Sequence, residues 1–255
     1  MRTVLWSLAA LLCVALTALV FFPASWLTYK VEQETGGRLT LGDPQGTLWR
    51  GSAFIGVAPG KGDPVTPLLP GRFSWKLSPM ALFGQVDMEL ENPESLSQPL
   101  KITGSWSQWQ VSGASVNLPA DRLAGLGAPL NTIQPSGRMQ FSWGPLLVAQ
   151  HGATVAVNGS TSLELSDMSS RLSNIKPLGA YHVSIQWSGE SAHLELKTTS
   201  GPMLLSGQGD LSNGQFHFSG QAEAEAGQEQ KLAGLLNLLG QRQRIGDKDV
   251  FALRL

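Results

Sequence analysis

Polar and apolar residues alternate along most of this chain. In GRFSWKL, Phe73, Trp75 and Leu77 alternate with Arg72, Ser74 and Lys76. In GQVDMELE, Val86, Met88 and Leu90 alternate with Gln85, Asp87, Glu89 and Glu91. The same period recurs in GRMQFSW (Met139, Phe141, Trp143), YHVSIQW (Tyr181, Val183, Ile185, Trp187) and AHLELK (Ala192, Leu194, Leu196). It is longest in GQFHFSGQAEAEA, where Phe216, Phe218, Gly220, Ala222 and Ala224 share a parity. A period of two gives a strand one buried and one wet face, which belongs to antiparallel sheets. The turn signals LGDPQG, ENPES, SGE, TSGP and SNG separate these runs, and SNGQ and WSGES have hairpin spacing. The pattern predicts a mainly β fold: a long curved antiparallel sheet or a sandwich, with few short helices. In WQVSGASVNL, Trp109 and Val111 share one parity and Ala114, Val116 and Leu118 the other, so a bulge is expected near Gly113.

The helical pattern is sparse. Residues 27–35 continue briefly as helix before Gly36 and Gly37, and residues 78–83 and 118–126 suit single turns or short helices. Residues 228–239 predict the best helix, because Leu232, Leu235, Leu236 and Leu239 fall on one face and Gly240 is placed to cap the end. Residues 249–255 suit a last strand. In LGDPQGTLWRG, Asp43, Pro44 and Gly46 fit positions one, two and four of a β-turn. Beyond it Trp49, Gly51, Ala53, Ile55 and Val57 share a parity, which makes Trp49 a core residue, Gly51 its clearance and Arg50 a solvent-facing side chain. GQGDL reads as a glycine-rich turn within a strand region.

One stretch departs from alternation. Residues 4–22, VLWSLAALLCVALTALVFF, carry no charge over 19 positions. At 1.5 Å per residue such a helix spans most of a hydrocarbon core of about 30 Å. Arg2 before it and Lys30 after it place the amino terminus in the cytoplasm under the positive-inside rule, and Trp26 and Tyr29 sit where interfacial aromatics are common. The run is longer than the apolar part of a cleaved signal peptide, and FFPASW offers no A-x-A site. The division expected is therefore a cytoplasmic tip (1–3), a transmembrane signal anchor (4–22) and an exported β-rich domain (23–255).

Composition narrows the chemistry. Of 255 residues only 15% are charged, with 29 glycines, 15 prolines and a formal charge of -1, and Lys and Arg do not cluster, which disfavours nucleic-acid binding. The single cysteine, Cys13, lies in the apolar run, so no disulfide forms within the chain. His182, His193 and His217 occupy polar-parity positions and could meet a metal if their strands were neighbours; with His151 they read more simply as surface histidines, since no close ligand pair occurs. No nucleophile elbow or phosphate-binding glycine loop is present. Asp87, Glu89 and Glu91 read as solvated strand charge, and Asn158 in NGS formally fits a glycosylation acceptor. Trp49, Trp75, Trp106, Trp109, Trp143 and Trp187 could stack on sugars, but packing is the better account for most. No catalytic, cofactor-binding or metal residue is assigned, and no cofactor.

The ordered series GTLWRG, RFSWKLSP, LPADRL, SGRMQFSW, PLGAYHVSI, TTSGPMLLSGQGDL and KLAGLLNLLG resembles the type II secretion system protein N (GspN) family over nearly the whole chain, least so over residues 151–170. The resemblance implies a non-enzymatic accessory component of the secretion pathway that exports folded proteins across the outer membrane. It implies a bacterial inner-membrane protein, single pass, with its carboxy-terminal domain in the periplasm. Partners are expected among the inner-membrane platform proteins, with the secretin a further candidate. The repeated glycine-bounded strands are also similar to AsmA-like periplasmic proteins, whose curved sheets present an apolar groove; that analogy implies lipid binding or transfer instead. The two differ in one structural expectation: whether Phe73, Trp75, Phe141, Trp143, Phe216 and Phe218 interdigitate in a closed sandwich or line an open face.

Overall fold

The computed structural model describes residues 2–58, 60, 62–126, 130–152, 154–212, 214–245 and 248–254. Met1 of the expected cytoplasmic tip, Asn213 of the SNGQ hairpin and Leu255 of the last strand lie outside them.

The chain opens with helices α1 (Arg2–Val20) and α2 (Ser25–Glu34). Strands β1 (Leu39–Gly46), β2 (Arg50–Val57), the short β3 (Thr66–Pro67), β4 (Phe73–Leu77), β5 (Gln85–Glu91), β6 (Leu100–Ser105), β7 (Gln108–Val111) and β8 (Ala114–Pro119) follow. After the small helix α3 (Leu130–Ile133) come β9 (Pro135–Trp143), β10 (Leu146–His151), β11 (Thr154–Ser170), β12 (Gly179–Gly189), β13 (Ser191–Ser200), β14 (Met203–Ser212) and β15 (Gln215–Ala224). Helix α4 (Glu229–Leu239) and the hairpin β16 (Gln241–Ile245) and β17 (Lys248–Arg254) complete the chain. Pro79–Phe83 and Ala120–Leu126 are 3₁₀ turns.

All these strands join one antiparallel sheet. Of the two forms the alternation allowed, the single sheet is found and the sandwich is not. Its path runs β1–β2–β4–β5–β6–β7–β10–β11–β12–β13–β14–β15–β17–β16, while β3 pairs briefly with β2. Strands β8 and β9 extend the β7–β10 pair along the rest of β11. The expected irregularity at Gly113 is present. Val111↔Leu146 and Ala114↔Trp143 keep one register across it, while both outer neighbours slip by one residue. Trp143 holds the break, its Nε1–H donating to the Ser112 carbonyl at 3.0 Å.

Two clusters cover parts of one sheet face. Near the amino end, Ala24, Ala53 and Trp75 are buried with Leu27, Leu41, Met88 and Leu90 packed against them. Near the carboxyl end, Leu232, Leu235 and Leu236 of α4 meet Leu178, Tyr181, Met203, Ala222 and Phe251. The Tyr181 hydroxyl donates to the Met203 carbonyl at 3.1 Å, and burial pushes its phenol pKa well up.

Several local expectations are revised. Asp43 to Gly46 do not form the β-turn; they stay inside β1 as a bulge, with Asp43 at φ 48°, and the chain reverses at residues 47–49, where the Thr47 N–H reaches the Arg50 carbonyl. Gly51 clears space for Trp75 rather than Trp49: a Cβ there would lie 2.5 Å from Trp75 Cζ2. GQGDL is no turn but the middle of β14. Gly240 ends α4 in an extended conformation, not a left-handed cap. A helix does form over the apolar run, but no helix among the described residues is long and apolar enough to cross a membrane. At 19 residues α1 reaches about 28 Å, just under a hydrocarbon core of ~30 Å.

Removing the centre of the α4 contact should be costly. Leu232→Ala is expected to lose about 2–5 kcal/mol of stability, whereas Leu238→Ala, on the exposed side of the same helix, should stay within about 0.5 kcal/mol. Chemical denaturation of the two variants checks the contrast.

Candidate functional site

The polar face carries cross-strand pairs rather than a reactive cluster. His182 Nδ1 lies 2.5 Å from Glu164 Oε1, and His193 Nδ1 lies 2.8 Å from Asp210 Oδ1. The register also sets Asp210 opposite His217, so His193, Asp210 and His217 form one row, while His182 sits apart and His151 ends β10. Among the described residues no group of three His, Cys, Asp or Glu is arranged to hold a metal ion. Lys76 bridges Glu89 at 3.6 Å and Glu91 at 3.5 Å, and Glu89 is in register with Lys101 on its other side. Those carboxylates therefore belong to a charge ladder; exposed pairs of this kind contribute little individually. Asn158 Oδ1 accepts the Gly189 N–H at 3.1 Å, which fastens the end of β12.

The opposite face is apolar and continuous. Val116, Phe141, Leu163, Val183 and Leu196 lie side by side across β8, β9, β11, β12 and β13, and the row runs on to Gly207 and Gly220. A parallel row joins Ala114, Trp143, Thr161, Ile185, Leu194, Gly209 and Phe218. The glycines take up the rings. A Cβ on Gly207 would lie 2.5 Å from Phe218 Cζ, and one on Gly209 would lie 3.0 Å from Phe216 Cζ. The two rings stack with centroids 6.5 Å apart.

The six aromatics that distinguish a closed core from an open face divide accordingly. Phe73 and Trp75 are buried at the amino-terminal end; Phe141, Trp143 and Phe218 are half-buried; Phe216 is 43% exposed. No second sheet faces them among the described residues, since every strand belongs to the same sheet. The face is open between α2 and α4.

The sheet also has two edges. The outer edge of β1 is interrupted by its bulge and Pro44, and α2 lies against this strand. Bulges and prolines are common protections of an edge. The other edge, β16, alternates Gln241 and Gln243 with Arg242 and Arg244. Asp249 is held below its usual carboxylate range by the hydrogen bond from Arg242 and then by the charges of Arg242 and Arg244.

Sequence reasoning missed one feature. Trp106 does not pack in a core; it is 64% exposed at the β6–β7 turn, where its Nε1–H donates to the Ala81 carbonyl. Trp49 is half-buried, and its Nε1–H donates to the Leu19 carbonyl at the end of α1 at 2.7 Å. Trp49, read as a core residue from its parity with Gly51 and Ala53, precedes the strand, which starts only at Arg50; for Trp106 the available signal was its position at a turn.

A family model described as "Type II secretion system (T2SS), protein N" matches residues 37–249. No curated protein and no solved structure matches the chain.

The fit of rings over glycines gives a direct check on the apolar face. Gly207→Ala is expected to cost about 1–3 kcal/mol by overpacking. Adding Phe218→Leu should return part of that loss, because the ring is the nearest obstacle. Denaturation midpoints of the single and double variants decide it; no recovery would make the Gly220 backbone the true obstacle.

Proposed function

The chain belongs to the type II secretion system protein N family and is a component of that system; on this premise we propose that it is a non-enzymatic accessory protein of the inner membrane. Residues 4–22 serve as its membrane anchor, residues 1–3 face the cytoplasm and the domain 23–255 stands in the periplasm. There it helps assemble the apparatus that exports folded proteins across the outer membrane. The family match over 37–249 carries this reading. Support for the anchor comes from α1 itself, where Val4, Leu5, Trp6, Leu8, Leu11 and Leu12 are all exposed to the surroundings. Apolar side chains in that density are stable in lipid and costly in water. Docking of the inner-membrane platform proteins, and of the secretin, uses the polar face and the β16 edge, where an added strand finds unpaired backbone groups.

One observation favours a second reading. The apolar face lies open between its two covering helices, which suits a protein that cradles acyl chains, as the AsmA-like analogy implies.

A clean deletion in the native host separates the two. Proteomics of culture supernatant and periplasm should find normally secreted enzymes held in the periplasm and released again on complementation. Unchanged secretion, together with altered outer-membrane lipid composition or detergent sensitivity, would replace the secretion reading with the lipid one.

A further inference from the structure

Antiparallel order brings alternate connections to the same end of a sheet. Here the β1–β2, β4–β5 and β6–β7 connections share the end at which α1 enters the body. The attachment is direct. The Leu48 N–H reaches the Phe22 carbonyl at 2.8 Å, Pro23 bridges Thr47, and Trp49 holds the Leu19 carbonyl.

Beside this junction lies an apolar prominence. The 3₁₀ turn Pro79–Phe83 carries no charge, and its Phe83 is 83% exposed, the most exposed large apolar side chain among the described residues. Met80 and Leu82 are exposed with it, and Trp106 stands over the turn. The prominence is fixed in shape: the Ser78 side chain accepts the Met80 N–H, and Gly84 closes the turn at φ 87°, a conformation that favours glycine. Its apolar surface is continuous with that of α1. Leu19, Val20 and Phe21 share the wall of a cavity of about 630 Å³ with Leu77, Pro79 and Leu82. The same cavity is also lined by the charged side chains Arg50, Lys76, Asp87 and Glu89. Connections further along the same end change character. They present His151 with Gly152, Gly189 with Glu190, and Ser212 with Gly214, none of them a large apolar side chain.

We propose that the Pro79–Phe83 turn and Trp106 form a membrane foot, inserted into the periplasmic leaflet next to α1. The inference rests on the reading of α1 as the anchor. Pro79 and Leu82, which share the cavity wall with Leu19, Val20 and Phe21, bring further apolar surface to the carboxyl end of the helix. With two points of contact the sheet is held at a set angle to the membrane rather than swinging on one linker.

The test uses the full chain in vesicles of phosphatidylethanolamine and phosphatidylglycerol, with Cys13→Ser as background. A polarity-sensitive fluorophore is placed in turn at Leu12→Cys, Phe83→Cys and Glu190→Cys, all exposed positions at which folding is not at stake. The label at 12 should be quenched by acyl-chain quenchers. The label at 83 should be quenched by shallow lipid quenchers, with a several-fold loss of quenching by aqueous iodide relative to the label at 190. If iodide reaches 83 as readily as 190 while 12 stays lipid-quenched, the foot is wrong and the anchor stands. If iodide reaches 12 as well, the anchor reading falls and the foot with it. If 83 is shielded only after platform proteins are added, the prominence is a protein contact and the lipid assignment is overturned.

Discussion

Leu232, Leu235 and Leu236 pressed onto Tyr181, Met203, Ala222 and Phe251 make the larger of the two buried clusters, and the carboxyl half of the sheet depends on that contact. A long antiparallel sheet gains little from backbone pairing alone, because water offers its groups nearly equivalent partners. What holds it is apolar area removed from water, at about 1.5–3 kcal/mol for each large side chain fully buried. Helix α4 supplies that burial for β12, β14, β15 and β17 together, so one helix fixes the order of four strands. Ala24, Ala53 and Trp75 do the same on a smaller scale for the amino-terminal strands. Between the two clusters most of the face is half-buried, with Ala114, Met139 and Ala192 buried, and its side chains are held chiefly by their cross-strand neighbours.

The paired break at Ser112–Gly113 and Gly144–Pro145 shows how so extended a sheet adjusts. Strands β7 and β8 keep their register with β10 and β9 across it, so the two breaks move as one unit. The one-residue slips fall instead on the outer neighbours, at β6 on one side and β11 on the other. A slip of one would ordinarily turn every side chain to the wrong face. Here the parity of the strand changes at the same point, from Trp109 and Val111 to Ala114 and Val116, so the apolar face is preserved throughout.

Face assignments were legible in the sequence because parity is a local property: Trp75, Met139, Tyr181 and Ala222 are buried as their positions require. Features that depend on which strands meet were not. The turn read at Asp43 to Gly46 and the bulge found there use the same residue types, and only pairing with Ser52 and Gly51 distinguishes them. Gly207 and Gly209 looked like a turn because their reason lies on another strand, in the rings of Phe216 and Phe218. The His193–Asp210 pair needed the β13–β14 register, which no spacing along the chain reveals. Trp106 was read with the other tryptophans because composition does not separate a ring in a strand from one at a turn.

The two ends of the sheet are unlike in construction, and this bears on how such a domain can work. One end has the longer connections, including residues 58–72 and 120–134, with the second 3₁₀ turn and α3. The other has short hairpin turns and the 3₁₀ turn Pro79–Phe83, and there the aromatic content rises toward α1. A partner that reads turns and a partner that adds a strand would therefore meet different regions of the molecule, the first at an end and the second at the β16 edge. If α1 lies in the bilayer, the end carrying Trp49, Phe83 and Trp106 is fixed beside it, which leaves the long connections and the β16 edge free for other components. A domain built this way can bind at two places without any change in its own fold, since neither place belongs to the α4 cluster that holds the strands in order.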